Sequence, residues 1–392
     1  MNLPTISFAY LRAKPLATAL NLLLLALGIA TITVMTLATR QFEERMQRDA
    51  RGIDLVAGAK GSPMQLVLSA VFHLDAPVGN IALAEATKLS RHKAVKRAIP
   101  LALGDSYRGF RIVGTNHDYP AHYGARLAEG ALWAKPMEAV LGAEVARATG
   151  LRTGAEFRGA HGLGEGGEEH EEEGYRVTGV LAPTGTVLDR IVLTSVESVW
   201  EVHEHGKPAG GPREITALLL QYASPLAAAL LPRQINAGAL QAASPAYESA
   251  RLFRMLGVGV EVLRAFGLVL VLTAGLSVFI ALTNALEERR YDLAVMRMLG
   301  ATRAKLMALL VLEGLALAAA GALFGLALGH LLTEVLGAAL RAQQQVPVTG
   351  WTWEAEELWL VALALGVGVI AALLPAWRAS RADVAPVLAE GS

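Results

Sequence analysis

The stretch EERRYDLAVMRMLGATRAKL, residues 287–306, lies between two of the most apolar parts of the chain. Residues 265–286, just before it, carry no charged side chain, and residues 306–340, just after it, carry few. A bilayer core of about 30 Å is crossed by about 20 apolar residues in a helix. The two flanking stretches are therefore predicted to span a membrane, and the charged stretch is predicted to connect them on one side.

The same hydropathy criterion predicts four membrane-spanning helices. They cover residues 15–39, 265–286, 306–340 and 358–377. The first stretch is longer than the apolar core of a cleaved signal peptide, so a retained signal anchor is predicted. Any single stretch could instead be a buried core helix, but four together favour a membrane protein. The predicted organisation is residues 1–40 with the first span, an extramembrane domain at 41–262, and residues 263–392 with the other three spans.

Composition supports this assignment and excludes several functions. Of 392 residues, 53% are hydrophobic and 18% are charged, whereas soluble domains carry about a quarter charged residues. Basic and acidic side chains number 35 each, which gives no electrostatic argument for binding nucleic acid. The sequence contains no cysteine, which excludes disulfides, thiolate metal sites and cysteine nucleophiles.

The distribution of basic residues predicts the orientation. Arg12 and Lys14 precede the first span, residues 287–306 contain five Lys or Arg, and Arg378 and Arg381 follow the fourth span. The link between the third and fourth spans is acidic by contrast. Because cytoplasmic loops are enriched in Lys and Arg, both termini are predicted to be cytoplasmic and the large domain to lie outside.

Residue patterns in the large domain predict a mixed α+β fold. EAVLGAEVARATGLRTGAEFR, residues 138–158, indicates a strand, a helix, a glycine stop and a second strand. Residues 52–60, 106–116, 175–195 and 215–222 have the character of strands, and residues 81–92 that of an amphipathic helix. The domain is thus predicted to be an α+β insertion between the first two spans.

Residues 287–299 are predicted to form a short helix on the cytoplasmic side. Leu293, Met296 and Leu299 recur at intervals of three, Gly300 suits a helix C-terminus, and Thr302 suits the N-cap of the next helix. One interpretation is an interfacial helix held on anionic lipid. The other is a coupling helix whose apolar face docks into a groove on a partner protein.

Three motifs give the chain a family resemblance. They are LEERRYDLAVMRMLGATRAKLMALLVLEG at 286–314, LLPAWRASRADVAPVLAEG at 373–391 and, more weakly, YLRAKPLATALNLLLLALGIA at 10–30. With these motifs the chain resembles the permease subunits of ABC transporters of the FtsX/MacB/LolC-E type. The resemblance implies a multi-pass protein of the bacterial inner membrane with a periplasmic domain, acting as a homodimer. It also implies an ABC ATPase subunit that carries ATP and Mg²⁺, and a periplasmic adaptor or lipoprotein partner.

The resemblance further implies a mechanotransmission function, in which ATP-driven motion of the partner reshapes the periplasmic domain to move or extract a substrate. The residues predicted to couple the chain to the ATPase are Glu287, Arg289, Arg290, Asp292, Leu293, Met296, Arg297, Leu299 and Gly300. The chain has no G-x-x-x-x-G-K-[ST] phosphate loop, zinc-protease helix or nucleophile elbow. No catalytic residue is therefore predicted, and ATP hydrolysis is assigned to the separate subunit.

Two features inside the predicted spans indicate helix packing. Glu313 lies in the third span, where an ionisable group should face another helix or a polar cavity, either as a coupling residue or as a hydrogen-bonded packing residue. Gly321, Gly325 and Gly329 are spaced by four and predict close approach of another helix. Whether that helix belongs to the same chain or to a second copy is left open.

Histidines in two polar segments suggest a metal site. His161 and His170 flank a Gly/Glu-rich run, and His203 and His205 lie in VHEHG. Imidazole and carboxylate ligands suit zinc or copper, so weak, transient binding is one hypothesis. The alternative is an ordinary solvated loop.

Two other functions remain open at this stage. The chain could be a signalling scaffold that activates a periplasmic hydrolase or sensor without transport, or a conventional permease with a pathway through its helices. The substrate cannot be read from the sequence.

Overall fold

The computed structural model describes residues 3–162, 174–204, 212–342 and 348–381. The helices of this described part are α1 (Leu3–Ala13), α2 (Pro15–Asp49), α3 (Pro63–Ala70), α4 (Leu83–Ser90), α5 (Asp118–His122), α6 (Ala143–Thr149), α7 (Val196–Glu204), α8 (Pro225–Ala237), α9 (Pro245–Glu288), α10 (Arg290–Met298), α11 (Arg303–Ala342) and α12 (Glu356–Arg381). Its strands are β1 (Leu55–Ala59), β2 (Ile81–Ala82), β3 (Val95–Tyr107), β4 (Phe110–Thr115), β5 (Leu127–Gly130), β6 (Glu138–Leu141), β7 (Glu156–Phe157), β8 (Ala160–His161), β9 (Tyr175–Leu181), β10 (Ile191–Ser195), β11 (Glu214–Ile215), β12 (Ala217–Tyr222) and β13 (Leu240–Ala243).

The chain divides into two compact units. The membrane unit contains Met1–Gln41 and Leu256–Ser392, and the extramembrane unit contains Phe42–Met255. The boundaries fall inside α2 and α9, which are continuous helices of 35 and 44 residues. Helices α2, α9, α11 and α12 are long and apolar enough to cross a membrane. The prediction of four spans, with an α+β domain between the first and second, is therefore confirmed.

One mixed sheet organises the extramembrane unit. Its order is β13-β1-β12-β3-β4-β10-β6-β9-β5, with β7 and β8 added at β9 and β3. The 13-residue strand β3 joins the two halves of this sheet because it pairs with both β12 and β4. Leu101 and Leu103 on one face of β3 pack with Phe72 and Tyr119, while Ala102 packs on the opposite face. Both faces of the sheet are thus covered at its centre, which explains why β4 and β10 are buried along their whole length.

The strand–helix–glycine–strand reading of residues 138–158 corresponds to β6, α6 and β7, with Gly150 at φ 74° ending the helix. The two strands seen in residues 175–195 are β9 and β10, but they are not neighbours in the sheet. Strand β6 lies between them, parallel to β9 and antiparallel to β10. The single strand predicted at residues 106–116 is in fact the end of β3, a turn at residues 108–109 and β4. Sequence reasoning missed the rest of β3, whose first residues include Lys96 and Arg97.

The evenly spaced glycines of α11 pack against α2 of the same chain. A Cβ atom built on Gly321 would lie 2.6 Å from Leu25 Cδ2, and one on Gly329 would lie 2.7 Å from Thr33 Cβ. At Gly325 it would lie 2.6 Å from Ile29 Cβ and 2.9 Å from the Ala26 carbonyl oxygen. The question of which helix these glycines face is thereby answered within a single chain.

Replacing Gly325 with Val should separate α2 from α11. Backbone atoms of α2 occupy the space that the new side chain needs, so the helices must move apart rather than repack. Overpacking of this kind costs about 1–3 kcal/mol or more. The matched control is Gly366→Val in α12, where an added Cβ meets nothing within 4 Å. The unfolding free energy, measured by denaturant titration in mixed micelles, should fall for the Gly325 variant relative to the Gly366 variant. Equal stability of the two variants would contradict the packing.

Stability of the extramembrane unit should depend on the protonation of His73. Its ring is buried, and Nε2 lies 3.0 Å from the Tyr119 hydroxyl. Burial holds the pKa of His73 well below its usual value, and the nearby Arg111 and Arg190 guanidiniums lower it further. Because the folded pKa is depressed, this residue's contribution is fully present above the unfolded pKa of about 6.5 and is lost as pH falls below it.

Thermal unfolding of the full chain between pH 5 and 8 measures this effect. We expect His73→Gln to have a smaller fall in midpoint between pH 7 and pH 5 than the native protein has. The exposed His92 provides the control, because His92→Gln should keep the native pH dependence. Parallel pH profiles for the native chain and the His73 variant would exclude a neutral buried imidazole.

Candidate functional site

A short helix, α10, lies between the long helices α9 and α11. It begins at Arg290, after the N-cap residue Arg289 with a φ of −102°, and ends at Met298, with Leu299 as its C-cap. Gly300 then adopts φ 93°, a left-handed conformation that favours glycine. The Gly300 amide donates to the Arg297 carbonyl, and the Ala301 amide donates to the Met296 carbonyl, both at 3.0 Å. These bonds form a Schellman motif, so the predicted glycine stop is present and redirects the chain into α11.

The N-terminus of α11 is capped as the sequence suggests. The Lys305 amide lies 3.3 Å from the Thr302 hydroxyl oxygen, and it also donates to the Thr302 carbonyl at 3.0 Å. Only two residues, Ala301 and Thr302, separate Gly300 from the first residue of α11. The tight turn therefore fixes the direction of α10 relative to α11.

The predicted docking face of Leu293, Met296 and Leu299 is not a single surface. Leu293 is 5% exposed and packs with Leu306 and Ala376, whereas Leu299 is 80% exposed. Six residues advance an ideal α-helix by 600°, which places the first and last of these side chains about 120° apart. Met296 is half-buried against the same cluster as Leu293. This part of the prediction needs correction: Leu293 and Met296 hold α10 to the bundle, and only Leu299 is presented outward.

The outward surface of α10 has an apolar tip, formed by Met298 and Leu299, which are 65% and 80% exposed. Tyr291 is also exposed, on the first turn. Exposed Arg303 and Lys305 follow this tip at the start of α11, and Glu287 and Arg290 form an exposed ion pair at the other end of α10, with an N–O distance of 3.5 Å. Exposed large apolar side chains next to exposed charged ones are the arrangement expected of a docking element.

A buried ion pair holds the first turn of α10. Arg289 Nη1 lies 2.9 Å from Glu313 Oε1, and the two side chains are 14% and 2% exposed. Glu313 therefore faces another part of the bundle rather than lipid. The Arg289 guanidinium also lies over the ring of Tyr10, with Cζ 3.6 Å from the ring centroid. The N-terminal helix α1, α11 and the start of α10 thus converge on one arginine.

A second contact joins the N-terminal segment to the end of α9. Lys14, between α1 and α2, forms an ion pair with Glu288, the last residue of α9. Sequence reasoning missed the contacts of Tyr10 with Arg289 and of Lys14 with Glu288. These residues are far apart in the sequence and become neighbours only in the folded chain. These contacts connect the residues just before α10 to the N-terminal segment that leads into α2.

A polar network fixes the opposite end of α2 within the membrane unit. Gln41 Nε2 donates to the Thr349 carbonyl at 2.7 Å, and its Oε1 accepts from the Thr349 amide at 2.8 Å. Arg40 pairs with Glu356 at the start of α12. Helix α2 is thus attached to the rest of the membrane unit near both ends of its apolar segment.

Two polar residues in the last part of α11, His330 and Glu334, belong to the same network. Glu334 accepts hydrogen bonds from Arg341 Nη2 at 2.7 Å, from the Thr349 hydroxyl at 2.7 Å and from the Gly350 amide at 2.9 Å. His330 lies between the Gly350 carbonyl and the buried Glu357 carboxylate, at 2.6 and 3.0 Å. These hydrogen bonds link the last part of α11 to the residues before and at the start of α12. The polar groups of His330 and Glu334 therefore have hydrogen-bond partners within this connection.

Two family models match the chain. Residues 264–384 match "FtsX-like permease C-terminal", and residues 18–237, more than half of the chain, match "MacB-like periplasmic core domain". The chain belongs to the FtsX/MacB-type permeases. The expected family resemblance is thereby confirmed, and with it the assignment as the membrane subunit of an ABC transporter.

Two solved structures are among those similar to this FtsX/MacB-type permease. The periplasmic region of MacB from Actinobacillus actinomycetemcomitans is 12% identical, with a TM-score of 0.37, over 53% of this chain and 96% of that one. The extracellular domain of the noncanonic ABC-type transporter YknZ from Gram-positive bacteria is 13% identical, with a TM-score of 0.30, over 48% and 98%. No curated protein sequence matches the chain.

For an FtsX/MacB-type permease, the family implies an ABC ATPase partner. The match at residues 264–384 contains α10 and its surrounding helices, which are the elements with the exposed tip and the buried anchor. The four apolar helices and the periplasmic domain fit a protein of the bacterial inner membrane.

The predicted metal ligands are only partly described. His170 and His205 lie outside the described residues, as does the side chain of His161, although the backbone of His161 pairs in β8. His203 lies in the last turn of α7. Among the residues that the structure describes, no group of three His, Cys, Asp or Glu side chains is arranged to hold a metal ion. The metal prediction as first drawn is therefore neither confirmed nor excluded.

Proposed function

We propose that this permease transmits ATP-driven motion of its ATPase partner to the periplasmic domain, and that this motion moves or extracts a substrate in the cell envelope. ATP and Mg²⁺ would be bound and hydrolysed on the partner. The substrate would not pass between the four spanning helices. The permease would act as a homodimer, with a periplasmic adaptor or lipoprotein as a further partner.

One observation supports this proposal more than any other: the first half of α10 is buried against the bundle, and its end is the exposed apolar tip. Leu293 and the Arg289–Glu313 pair attach the first half to the bundle, and Met298 and Leu299 are exposed at the end. A helix that only lay on lipid would not need a buried ion pair at its start. Because the first half of α10 is attached in this way, a force applied to the tip can reach the bundle.

Helix α2 would transmit the displacement from the membrane bundle to the periplasmic domain. It is held near both ends of its apolar segment and continues without a break to Asp49, in the extramembrane unit. There the Asp49 carboxylate accepts a hydrogen bond from the Val187 amide at 2.7 Å, and the Tyr123 hydroxyl donates to the Asp49 carbonyl at 2.6 Å. A continuous helix anchored in this way can carry a displacement from the bundle into the periplasmic domain.

The proposal requires α10 to face the cytoplasm, with both termini on the same side. Reporter fusions after Lys60 and Gly211 should report a periplasmic location, and fusions after Gly300 and Ser392 a cytoplasmic one. The distribution of Lys and Arg gives this expectation. A single reversed fusion among the four would be incompatible with ATPase docking at α10.

A signalling scaffold without transport is the competing function, since it would use the same coupling. Purification of the full chain with its ATPase and envelope partners, followed by ATPase assays in lipid, separates the two. A co-purifying adaptor or lipoprotein that stimulates ATP hydrolysis supports transport. A co-purifying periplasmic hydrolase, activated without movement of a substrate, would replace it with signalling.

A further inference from the structure

A cluster of exposed cations lies on the periplasmic domain, at the end of α4 and the start of β3. Residues 86–98 contain five Lys or Arg and no Asp or Glu, although the whole chain carries 35 basic and 35 acidic residues. All five side chains are exposed. The residues that form this basic surface are Lys88, Arg91, Lys93, Lys96 and Arg97. The excess of positive charge is therefore local to this part of the domain.

The domain itself does not neutralise the basic surface. In the part of the chain that the structure describes, none of its five side chains lies within 4 Å of a carboxylate. An exposed arginine elsewhere in the domain does have such a partner, since Arg147 lies 3.6 Å from Glu144. Asp54, before β1, accepts a hydrogen bond from the Tyr222 amide at 2.7 Å instead. The charge of the basic surface is thus available to a partner.

Helix chemistry explains only part of this cluster. Lys88 lies in the last turn of α4 and Arg91 is its C-cap, where a positive charge interacts favourably with the helix dipole. Lys96 and Arg97 lie in β3, where the net dipole of the strands is small and neighbouring cations repel each other. A bound anion would relieve this repulsion in the strand half of the basic surface.

A shallow depression next to Arg97 gives the basic surface a shaped element. Besides Arg97, its lining consists of Gly52, Ile53, Ile99, His122 and residues 219–221. His122 Nε2 lies 2.8 Å from the Arg51 carbonyl oxygen, which only accepts, so Nε2 donates and the ring is held in place. A partner carboxylate that enters this depression would meet the Arg97 guanidinium, whose planar fork suits a carboxylate.

The number of cations indicates the kind of ligand. One carboxylate or phosphate group accepts hydrogen bonds from one or two such side chains. Five cations on a helix end and a strand therefore suit a ligand that carries several negative groups. A polypeptide segment with several Asp or Glu residues is such a ligand, and so is a bilayer that contains anionic lipid.

The length of α2 favours the polypeptide over the bilayer. The predicted span ends at residue 39, and α2 continues to Asp49 before the sheet begins. Residues 40–49 cover about 15 Å at 1.5 Å per residue, which is about twice the Debye length of roughly 8 Å at physiological ionic strength. Attraction between the basic surface and lipid headgroups would be largely screened over this length.

We propose that the basic surface binds an acidic segment of a periplasmic partner protein. The inference rests on the proposed function only in requiring a periplasmic partner. It does not depend on how ATP-driven motion reaches the domain, because the basic surface binds by charge alone. Anionic lipid is the competing ligand.

Binding of an acidic peptide by the full chain tests the basic surface. The chain is placed in nanodiscs of zwitterionic phosphatidylcholine without the ATPase, and a fluorescein-labelled deca-glutamate peptide is titrated by fluorescence anisotropy. We expect saturable binding that weakens as salt is added, because the contacts are between exposed charges. K88E/R91E and K96E/R97E should each weaken binding at least tenfold, since each pair of substitutions replaces two attractive charges with two repulsive ones.

The control variant is K135E/R152E, which makes the same change of charge at two exposed positions outside the basic surface. It should bind the peptide within about twofold of the native chain. Equal weakening by the control and by the two test variants would overturn the proposal, and so would the absence of binding by the native chain. If K96E/R97E proves unfolded by circular dichroism, K88E/R91E decides alone.

A second titration, with vesicles that contain phosphatidylglycerol, distinguishes the two ligands. Vesicle binding that K88E/R91E and K96E/R97E abolish, without binding of the peptide, would assign the basic surface to lipid and overturn the proposal. Because no ATPase is present, a failure of coupling through α10 leaves both titrations unchanged. A failure of peptide binding would likewise leave the coupling experiments unaffected.

Discussion

Replacing Met298 and Leu299 together with Ser is expected to abolish coupling to the ATPase while leaving the permease folded in the membrane. Both side chains are largely exposed and make the apolar tip of α10. Burial of each in a partner groove is worth about 1.5–3 kcal/mol, so their joint loss should weaken ATPase binding roughly a hundredfold or more. Pull-down of the ATPase and its stimulated activity in lipid measure the effect.

The contrasting variant is Leu293→Ser. This side chain is buried among the spanning helices, and its truncation should lower the unfolding free energy by about 2–5 kcal/mol instead of acting at the surface. The double tip variant should unfold like the native chain. Undiminished ATPase recovery with unchanged activity of the Met298/Leu299 variant would remove α10 as the docking element.

The second large effect is expected at the Arg289–Glu313 pair. Arg289→Ala leaves the Glu313 carboxylate buried in the bundle without its cation, and it also removes the contact with Tyr10. Removing one partner of a buried pair costs about 3–5 kcal/mol, because the remaining charge is uncompensated. Denaturant titration in mixed micelles should show this loss.

Two further variants distinguish charge from packing at this pair. Replacing Arg289 and Glu313 together with Leu should recover much of the stability, because no buried charge is left. Arg290→Ala, at an exposed pair with Glu287, should change the unfolding free energy by less than about 1 kcal/mol. If Arg289→Ala were as mild as Arg290→Ala, the ion pair would not anchor α10.

The spans were predictable from the sequence because hydropathy and length are local properties. Gly300 and Thr302 were predictable for the same reason, since helix stops and caps depend on a few adjacent residues. The α+β character of the large domain followed from short segments, but the order of its strands did not. Strand β6 enters between β9 and β10, and no local signal indicates that arrangement.

The sequence predicted where the short helix α10 lies in the chain, but not which of its side chains face outward. Counting in steps of three placed Leu293 and Leu299 on one face, although six residues rotate by more than one and a half turns. The partners of Glu313 and Gln41 lie 24 and 308 residues away, respectively. Pairings of this kind depend on how helices pack, which the sequence of one segment does not specify.

The absence of cysteine allows the central claim to be tested with a single spin label. Glu85, exposed on α4 of the periplasmic domain, would be replaced by a labelled cysteine. The distance between the labels on the two copies of the proposed homodimer would then be measured with the ATPase bound in lipid. We predict that the distance distribution shifts between the nucleotide-free and ATP-bound states, and that the Met298/Leu299 variant abolishes the shift. An unchanged distribution in the native permease, while the ATPase is shown to close on ATP, would contradict transmission to the periplasmic domain.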